Sequence, residues 1–285
     1  MIWLQAIRPR TLFNSISPAF IGSVMAIEQG TFNWLVCLFT FLTGLGLQIS
    51  TNLSNDYFDF VKGADTAERK GPMRVTASGA VSVPAIKKAC AISFGLTAIS
   101  GSYLIWEGGV YIAAVFAIYT LLSYCYTGGP YPLAYLGLGD LFVLLLYGVG
   151  AVAVTYYLQT KVISMEAMLV GLGSGAISTA VINTNNLRDE EEDRKANKKT
   201  LVVRFGQKFG RWEYLCCILT AAIIPFFFIR NHPFCLIASL IFLPALFLIH
   251  SVFTIKDLRD FYPILPKTAQ LLFLYALLFS IGWML

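Results

Sequence analysis

Charge is what this chain has least of. Asp, Glu, Lys and Arg make up 13% of its 285 residues, whereas a soluble globular domain carries about a quarter, so a free-standing soluble domain is excluded. Histidine occurs only at His232 and His250, too few and too scattered for a zinc site. The cysteines (Cys37, Cys90, Cys125, Cys216, Cys217 and Cys235) mostly sit inside apolar runs, with no C-x-x-C spacing and no partner histidine, and read as small packing hydrophobes. The short alternating segments of a membrane β-barrel are missing too. Arg8-Pro-Arg interrupts the start, and no small-residue cleavage site follows a short apolar run, so the first apolar segment is expected to be retained. Nor does any polar stretch exceed 62–83 and 188–211, which leaves no soluble domain to separate from the rest.

What is present is apolar length. Residues are 57% hydrophobic with 22 Phe and 14 Tyr, and mean hydropathy is +0.68. A helix crossing a bilayer needs about 20 mostly apolar residues, and nine candidates follow: 12–27, 33–61, 84–106, 110–126, 138–158, 165–187, 212–229, 234–253 and 267–285. The expected fold is all-α: a polytopic membrane helical bundle, one domain over 1–285, with nine transmembrane helices around a central cavity and short cytoplasmic cap helices and loops. Small residues at Gly171-x-Gly173-x-Gly175 suit close helix packing. With a cytoplasmic N-terminus, all of the 21 basic residues except Lys161 and Arg230 fall on the inner side, as the positive-inside rule requires. The net charge of +5 therefore needs no nucleic-acid partner; the partner is the bilayer, with anionic headgroups as a further attraction.

Against this background two polar clusters stand out, Asn52 to Asp59 and Asn183 to Asp193, each closing a membrane-length segment. Ionisable residues there are costly and read as functional. In the first, Asn52/Asp56, Asn55/Asp59 and Asp56/Asp59 are three or four apart, so a helix puts them on one face. Asp65, just past Gly63, is placed to fold back as a further oxygen ligand. The second repeats the spacing with Asn185/Asp189, Asn186/Asp189 and Asp189/Asp193. Polar loops follow both clusters, which suggests a loose internal duplication with the site where the halves meet. Two such faces brought together would concentrate mutually repelling carboxylates, a conflict that a hard cation resolves. Mg²⁺ suits, because it takes one or two carboxylates and completes its shell with water and phosphate oxygens. Lys62, Arg74, Arg194, Lys198 and Lys199 lie beside these acids, so the ligand set points to a metal-bridged phosphate or diphosphate. Glu190, Glu191 and Glu192 read as a solvated face. Tyr119, Tyr124, Tyr126, Tyr131 and Tyr135 surround Thr127-Gly-Gly-Pro. Tyr rings at an interface are commonly anchors, but if a carbocation forms, Tyr124, Tyr126 and Tyr57 are the rings expected around it.

These residues resemble the UbiA-type intramembrane aromatic prenyltransferases over nearly the whole chain, and more narrowly the branch that prenylates 1,4-dihydroxy-2-naphthoate. The resemblance rests on Arg8-Pro-Arg-Thr11, N-D-Y-F-D-F-V-K-G-A-D at 55–65, G-P-M-R at 71–74, Y-T-G-G-P at 126–130, G-L-G-D at 137–140 and the long run from Asn185 to Gly206. It implies that Asn55, Asp56, Asp59 and Asp65 form the first metal-diphosphate motif and Asn185, Asp189 and Asp193 the second. Arg74, Arg194 and Lys198 would hold the diphosphate. The step from Asp59 to Asp65 is longer than in much of the superfamily but like that of the naphthoate branch.

The implied reaction is Mg²⁺-assisted departure of diphosphate from a polyprenyl diphosphate, attack by the ring carbon of an aromatic acid and, in the naphthoate branch, loss of CO2 to give demethylmenaquinone in a bacterial-type inner membrane. Asp140 is a candidate proton acceptor. Another acceptor such as 4-hydroxybenzoate is the competing enzyme reading. A cation-coupled transporter is the alternative of a different class, disfavoured because no polar trail leads from the acids to the opposite side. The D-G-x-x-A-R pattern of membrane alcohol phosphotransferases is absent.

Overall fold

In an apolar solvent every backbone group must be satisfied within its own segment, which leaves helices as the solution for long hydrophobic runs. The computed structural model describes residues 2–65 and 74–285, and among them every element is helical. Gly71, Pro72 and Met73 of the G-P-M-R motif lie outside the described residues. A short α1 (Ile2–Ile7) and a 3₁₀ turn at Pro9–Thr11 lead into α2 (Phe13–Glu28). There follow α3 (Trp34–Val61), α4 (Val83–Cys125), α5 (Gly139–Thr160, π-helical over Val143–Gly150), α6 (Met165–Arg188), the short α7 (Glu190–Lys195), α8 (Leu201–Phe228, ending in a 3₁₀ turn), α9 (Pro233–Thr254, opening in one) and α10 (Ile264–Met284).

Where the helices begin is set by caps. The Asn33 side chain accepts from the Leu35 amide at the start of α3, Ser164 from Ala167 at α6, and Thr200 from Val203 at α8. The Thr200 cap moves the start of α8 well ahead of the expected Trp212, with a break at Gly206 (φ +86°). The expected third and fourth spans join in the 43-residue α4, non-helical only at Gly109 (φ +70°, ψ −159°). Gly101 nevertheless lies against the Phe116 ring, which a straight helix would hold about 22 Å away, so the chain doubles back at Gly109.

Seven helices among the described residues are long and apolar enough to cross a bilayer, against the nine expected. α4 stands as one of the seven, and α2 falls short with 16 residues.

Burial sorts the helices by role. In their apolar windows α6 is 67% buried and α4 only 6%, so α6 runs through the middle and α4 forms an outer wall. The main core joins α2, α5, α6, α8, α9 and α10 through residues such as Ile21, Val152, Ile177, Tyr214, Ala238, Tyr275 and Phe279. Gly148 on α5 meets Gly171 and Gly175 on α6 backbone to backbone, the close approach that the glycine spacing predicts. Each cluster-bearing helix packs against the next long one, α3 against α4 and α6 against α8, and the C-terminal ends of α3 and α6 meet at one cavity.

Candidate active site

Successive residues on a helix are about 100° apart, so residues at steps of three and four share a face. On α3 that face carries Gln48, Asn52, Asn55 and Asp59, and all four line a cavity of about 630 Å³. On α6 and α7 the same cavity is lined by Asn185, Asn186, Arg188, Asp189 and Asp193, with Lys198 and Thr200 just beyond. Arg74, Tyr126 and Asp140 complete the predicted residues found on its wall, and the strap between α1 and α2 contributes Arg8, Arg10 and Thr11.

The first cluster is held by neutral groups. Asp59 accepts from the Tyr135 hydroxyl at 3.0 Å, and Asn55 from the Thr127 hydroxyl at 2.8 Å. Lys62 lies outside the lining and donates to the Thr127 carbonyl at 2.6 Å, with its ammonium 4.7 Å from the centre of the Tyr135 ring. Burial pulls the Lys62 pKa down and the Asp59 charge partly restores it. Burial, then Asp59, pushes the Tyr135 phenol well above its usual range. Two expected metal ligands sit elsewhere. Asp56 is buried off the cavity and accepts from the Thr76 amide at 3.0 Å, pinning the following loop to α3. Asp65 folds back as its position suggested, but its carboxylate meets Arg74 at 3.3 Å instead of lining the cavity. Asn52, expected to touch substrate, also ties down the strap, donating to the Ile7 carbonyl at 2.8 Å and to the Thr11 hydroxyl at 3.0 Å.

The second cluster is held by charge. Arg188 grips Asp189 with two bonds of 2.6 and 2.8 Å and reaches Asn185 at 2.8 Å, a planar bidentate pairing that Lys could not make. Lys198 stands 3.3 Å from Asp193. Burial raises the Asp193 pKa to about 6; Lys198 opposes that, while Asp189 and Asp59 add to it. Asn186 donates to both oxygens of Asp140, at 3.2 and 3.4 Å. Tyr135 joins the halves: its hydroxyl is on Asp59, its ring lies 5.8 Å from the Lys198 ammonium, and its carbonyl takes the Lys199 amide at 3.0 Å.

Several expected contacts are not made. Arg194 is exposed and pairs with Glu190 at 2.7 Å, and Lys199 faces solvent, so neither reaches the cavity. Of the three rings expected around a cation only Tyr126 faces it. Tyr124 sits two residues earlier, about 200° around the helix, edge-on to Phe58 and partly exposed. Tyr57 is likewise two residues before Asp59 and packs with Leu53 and Val75. Tyr147, in the π-helical turn, Phe142 and Tyr262 are rings on the wall that the sequence did not point to; Arg188, Tyr135 and Thr127 carried no site role in the sequence reading.

Among the described residues no three Asp, Glu, His or Cys side chains lie close enough to hold a metal unaided. The donor set still fits Mg²⁺, which keeps water and phosphate oxygens in its shell and needs only one or two carboxylates. Asp59, Asp189 and Asp193 offer those from facing walls.

The chain is similar to known proteins over nearly its whole length. The profile of the UbiA prenyltransferase family matches residues 15–284. The chain is 36% identical to a 1,4-dihydroxy-2-naphthoate octaprenyltransferase of Haemophilus influenzae over 99% of its own length and 95% of that protein. It is 31% identical to the enzyme so named from Mycobacterium tuberculosis, over 96% and 94%. The fold is similar to the apo structure of a UbiA homolog from Aeropyrum pernix K1, with TM-score 0.69 at 13% identity over 95% and 96% of the two chains. It is also similar to that of a UbiA homolog from Archaeoglobus fulgidus bound to GPP and Mg²⁺, with TM-score 0.65 at 15% identity over 98% and 100%. The chain belongs to the UbiA prenyltransferase family.

Proposed function

We propose that this chain transfers a polyprenyl group from polyprenyl diphosphate to 1,4-dihydroxy-2-naphthoate with loss of CO2, giving the demethylated precursor of menaquinone. One observation carries the reading: acids and cations from helix ends distant in sequence, Asp59 on one side and Arg188, Asp189, Asp193 and Lys198 on the other, line one cavity. The names of the relatives select the naphthoate acceptor over 4-hydroxybenzoate.

Asp59, Asp189 and Asp193 would hold Mg²⁺, which when bound would supply charge stabilisation for the departing diphosphate. Arg188 and Lys198, already aimed at this spot by their carboxylate partners, take diphosphate oxygens as the allylic C–O bond lengthens, an electrostatic contribution that usually dominates such reactions. Asp56 and Asp65 act behind the wall, holding the loop that brings Arg74 to the cavity. Tyr126 and Tyr147 face the developing cation, and closure by the apolar walls keeps water from quenching it. Asp140, oriented by Asn186, accepts a proton from the acceptor at a carboxylate oxygen. A second, apolar chamber of about 120 Å³ between α2, α3, α4 and α5 shares Ser123, Leu146 and Tyr147 with the main cavity and takes part of the isoprenoid tail.

In the bilayer the single domain makes nine crossings, α4 counting as two and α2 as one, with the N-terminus and the cavity mouth on the cytoplasmic side of an inner membrane. The deciding experiment incubates purified protein with a polyprenyl diphosphate, dihydroxynaphthoate and Mg²⁺ and reads product mass. A prenylated, decarboxylated product is expected. Prenylation of 4-hydroxybenzoate instead would reassign the acceptor, and cation flux in liposomes without any product would overturn the enzyme reading.

A further inference from the structure

We infer that Arg8 binds the carboxylate of the aromatic acceptor, on the strap side of the cavity. The inference rests on the prenyl-transfer reading and adds to it the recognition group for the second substrate. Two anions must then lie side by side without sharing the same cations, and the structure divides its cations accordingly. Arg74, Arg188 and Lys198 face the acids Asp65, Asp189 and Asp193, where a diphosphate and its metal belong. Arg8 enters from another wall, on the strap before α2.

Its backbone is unusual. Arg8 adopts φ 56°, ψ 69°, a left-handed conformation that a side chain with a Cβ avoids and that, where it persists, points to function. A relay of hydrogen bonds holds it there: Gln48 donates to Asn52 at 3.2 Å, Asn52 to the Ile7 carbonyl and the Thr11 hydroxyl, and that hydroxyl to the Arg8 carbonyl at 2.9 Å. The relay fixes the depth of the strap. Asn52 lies seven residues before Asp59 on the same face of α3, or about 10 Å along the axis. That offset suits the chemistry. The attacked ring carbon adjoins the carbon bearing the carboxylate, so the carboxylate must sit within several Å of the breaking C–O bond yet outside the metal's shell. A guanidinium there offers a planar fork matched to a carboxylate. The amides of Asn14 and Gln5 on the same wall can serve the ring hydroxyls.

The test is equilibrium binding to the full-length protein in detergent, with dihydroxynaphthoate compared with naphthalene-1,4-diol, its counterpart lacking the carboxylate. Arg8→Gln should weaken naphthoate binding about tenfold or more, as loss of a charge-assisted pair does. It should leave the diol and the Mg²⁺-prenyl diphosphate affinities within about threefold, and Arg8→Lys should recover only part of the loss. Unchanged diol binding also shows that the variant is folded. Equal loss for naphthoate and diol, loss confined to prenyl diphosphate, no change at all, or a wild type that does not prefer the carboxylate would each overturn the assignment. Repeating the comparison with 4-hydroxybenzoate and phenol separates the two claims: Arg8-dependent carboxylate binding in that pair alone would keep Arg8 and discard the naphthoate acceptor.

Discussion

The two Asn/Asp clusters look alike in sequence but are stabilised by different means. The first relies on neutral donors: Asp59 has the Tyr135 hydroxyl, Asn55 has Thr127, and Asp56 has a backbone amide. The second is charge-balanced, with Asp189 against Arg188 and Asp193 against Lys198. In the proposed metal set Asp59 therefore enters with a neutral hydrogen-bond donor on it and Lys62 nearby, while Asp189 and Asp193 enter already paired with the cations that a diphosphate would need. A site built for a metal-diphosphate complex, which brings positive and negative charge together, is complementary to that division.

Substitutions that remove one charge from each half should separate the roles most widely. Asp59→Asn is expected to lower prenyl transfer by about 10³-fold or more, the scale of losing a main electrostatic contact, while the melting temperature in detergent barely moves. Asp189→Asn should lose comparable activity and also destabilise the protein by roughly 3–5 kcal/mol, because Arg188, with its side chain 3% exposed, would be left as a buried charge without its partner. Equal thermal stability of the two variants would break the comparison.

The helix seams behind the two clusters differ as well. α5 and α6 cross with glycine backbones in contact, so a methyl at Gly175 would stand 2.5 Å from the Leu144 carbonyl oxygen, and nothing there can turn aside. Gly46 on α3 instead faces the Thr97 side chain of α4, which can rotate. Gly175→Ala should cost at least about 1–3 kcal/mol, the usual overpacking penalty, and Gly46→Ala less. The reverse order, read from detergent melting curves, would show that the second seam yields more easily than its geometry allows.

The seams and the cluster faces were legible because period and composition determine them locally. Gly171-x-Gly173-x-Gly175 declared close packing, and steps of three and four put Asn55 with Asp59 and Asn185 with Asp189. What the sequence hides is which way the rest of the turn points. Asp56, three residues from Asp59, proved to be off the cavity; Tyr57 and Tyr124 sit about half a turn from the residues that line it. Arg188 reads as one more positive-inside residue until the fold buries it against Asp189. Tyr135 touches both clusters only because the loop after α4 lies between the ends of α3 and α6, a tertiary fact with no local signature. Thr200 caps α8 ahead of its apolar run, so a count of apolar residues alone places the start late, at Trp212.

Tyr135 gives a finer test of how the halves communicate. Tyr135→Phe removes the hydroxyl from Asp59 and keeps the ring beside Lys62 and Lys198. A single neutral hydrogen bond contributes about 1 kcal/mol, so activity should fall by roughly tenfold or less through weaker Mg²⁺ binding to the first half, with kcat largely recovered at high Mg²⁺. A loss that saturating Mg²⁺ does not restore would mean that Tyr135 acts on the second half instead.

A further expected effect is a pH dependence that belongs to the second half. Asp193 has its pKa raised to about 6, above the value near 3.9 of an unfolded chain, so between these pH values the folded protein holds the extra proton. The contribution of this group to the stability of the metal-free protein should therefore be lost as pH rises from about 4 through about 6. Metal binding runs the other way, because the ligand must be the carboxylate: at pH 5 apparent Mg²⁺ affinity should be about tenfold weaker than at pH 7 from this group alone. Asp193→Asn should weaken the pH dependence of both, measured by melting temperature and by Mg²⁺ titration. A pH dependence of both that is unchanged in this variant would place the titrating group elsewhere, and the claim that Lys198 balances an ionised Asp193 would fail with it.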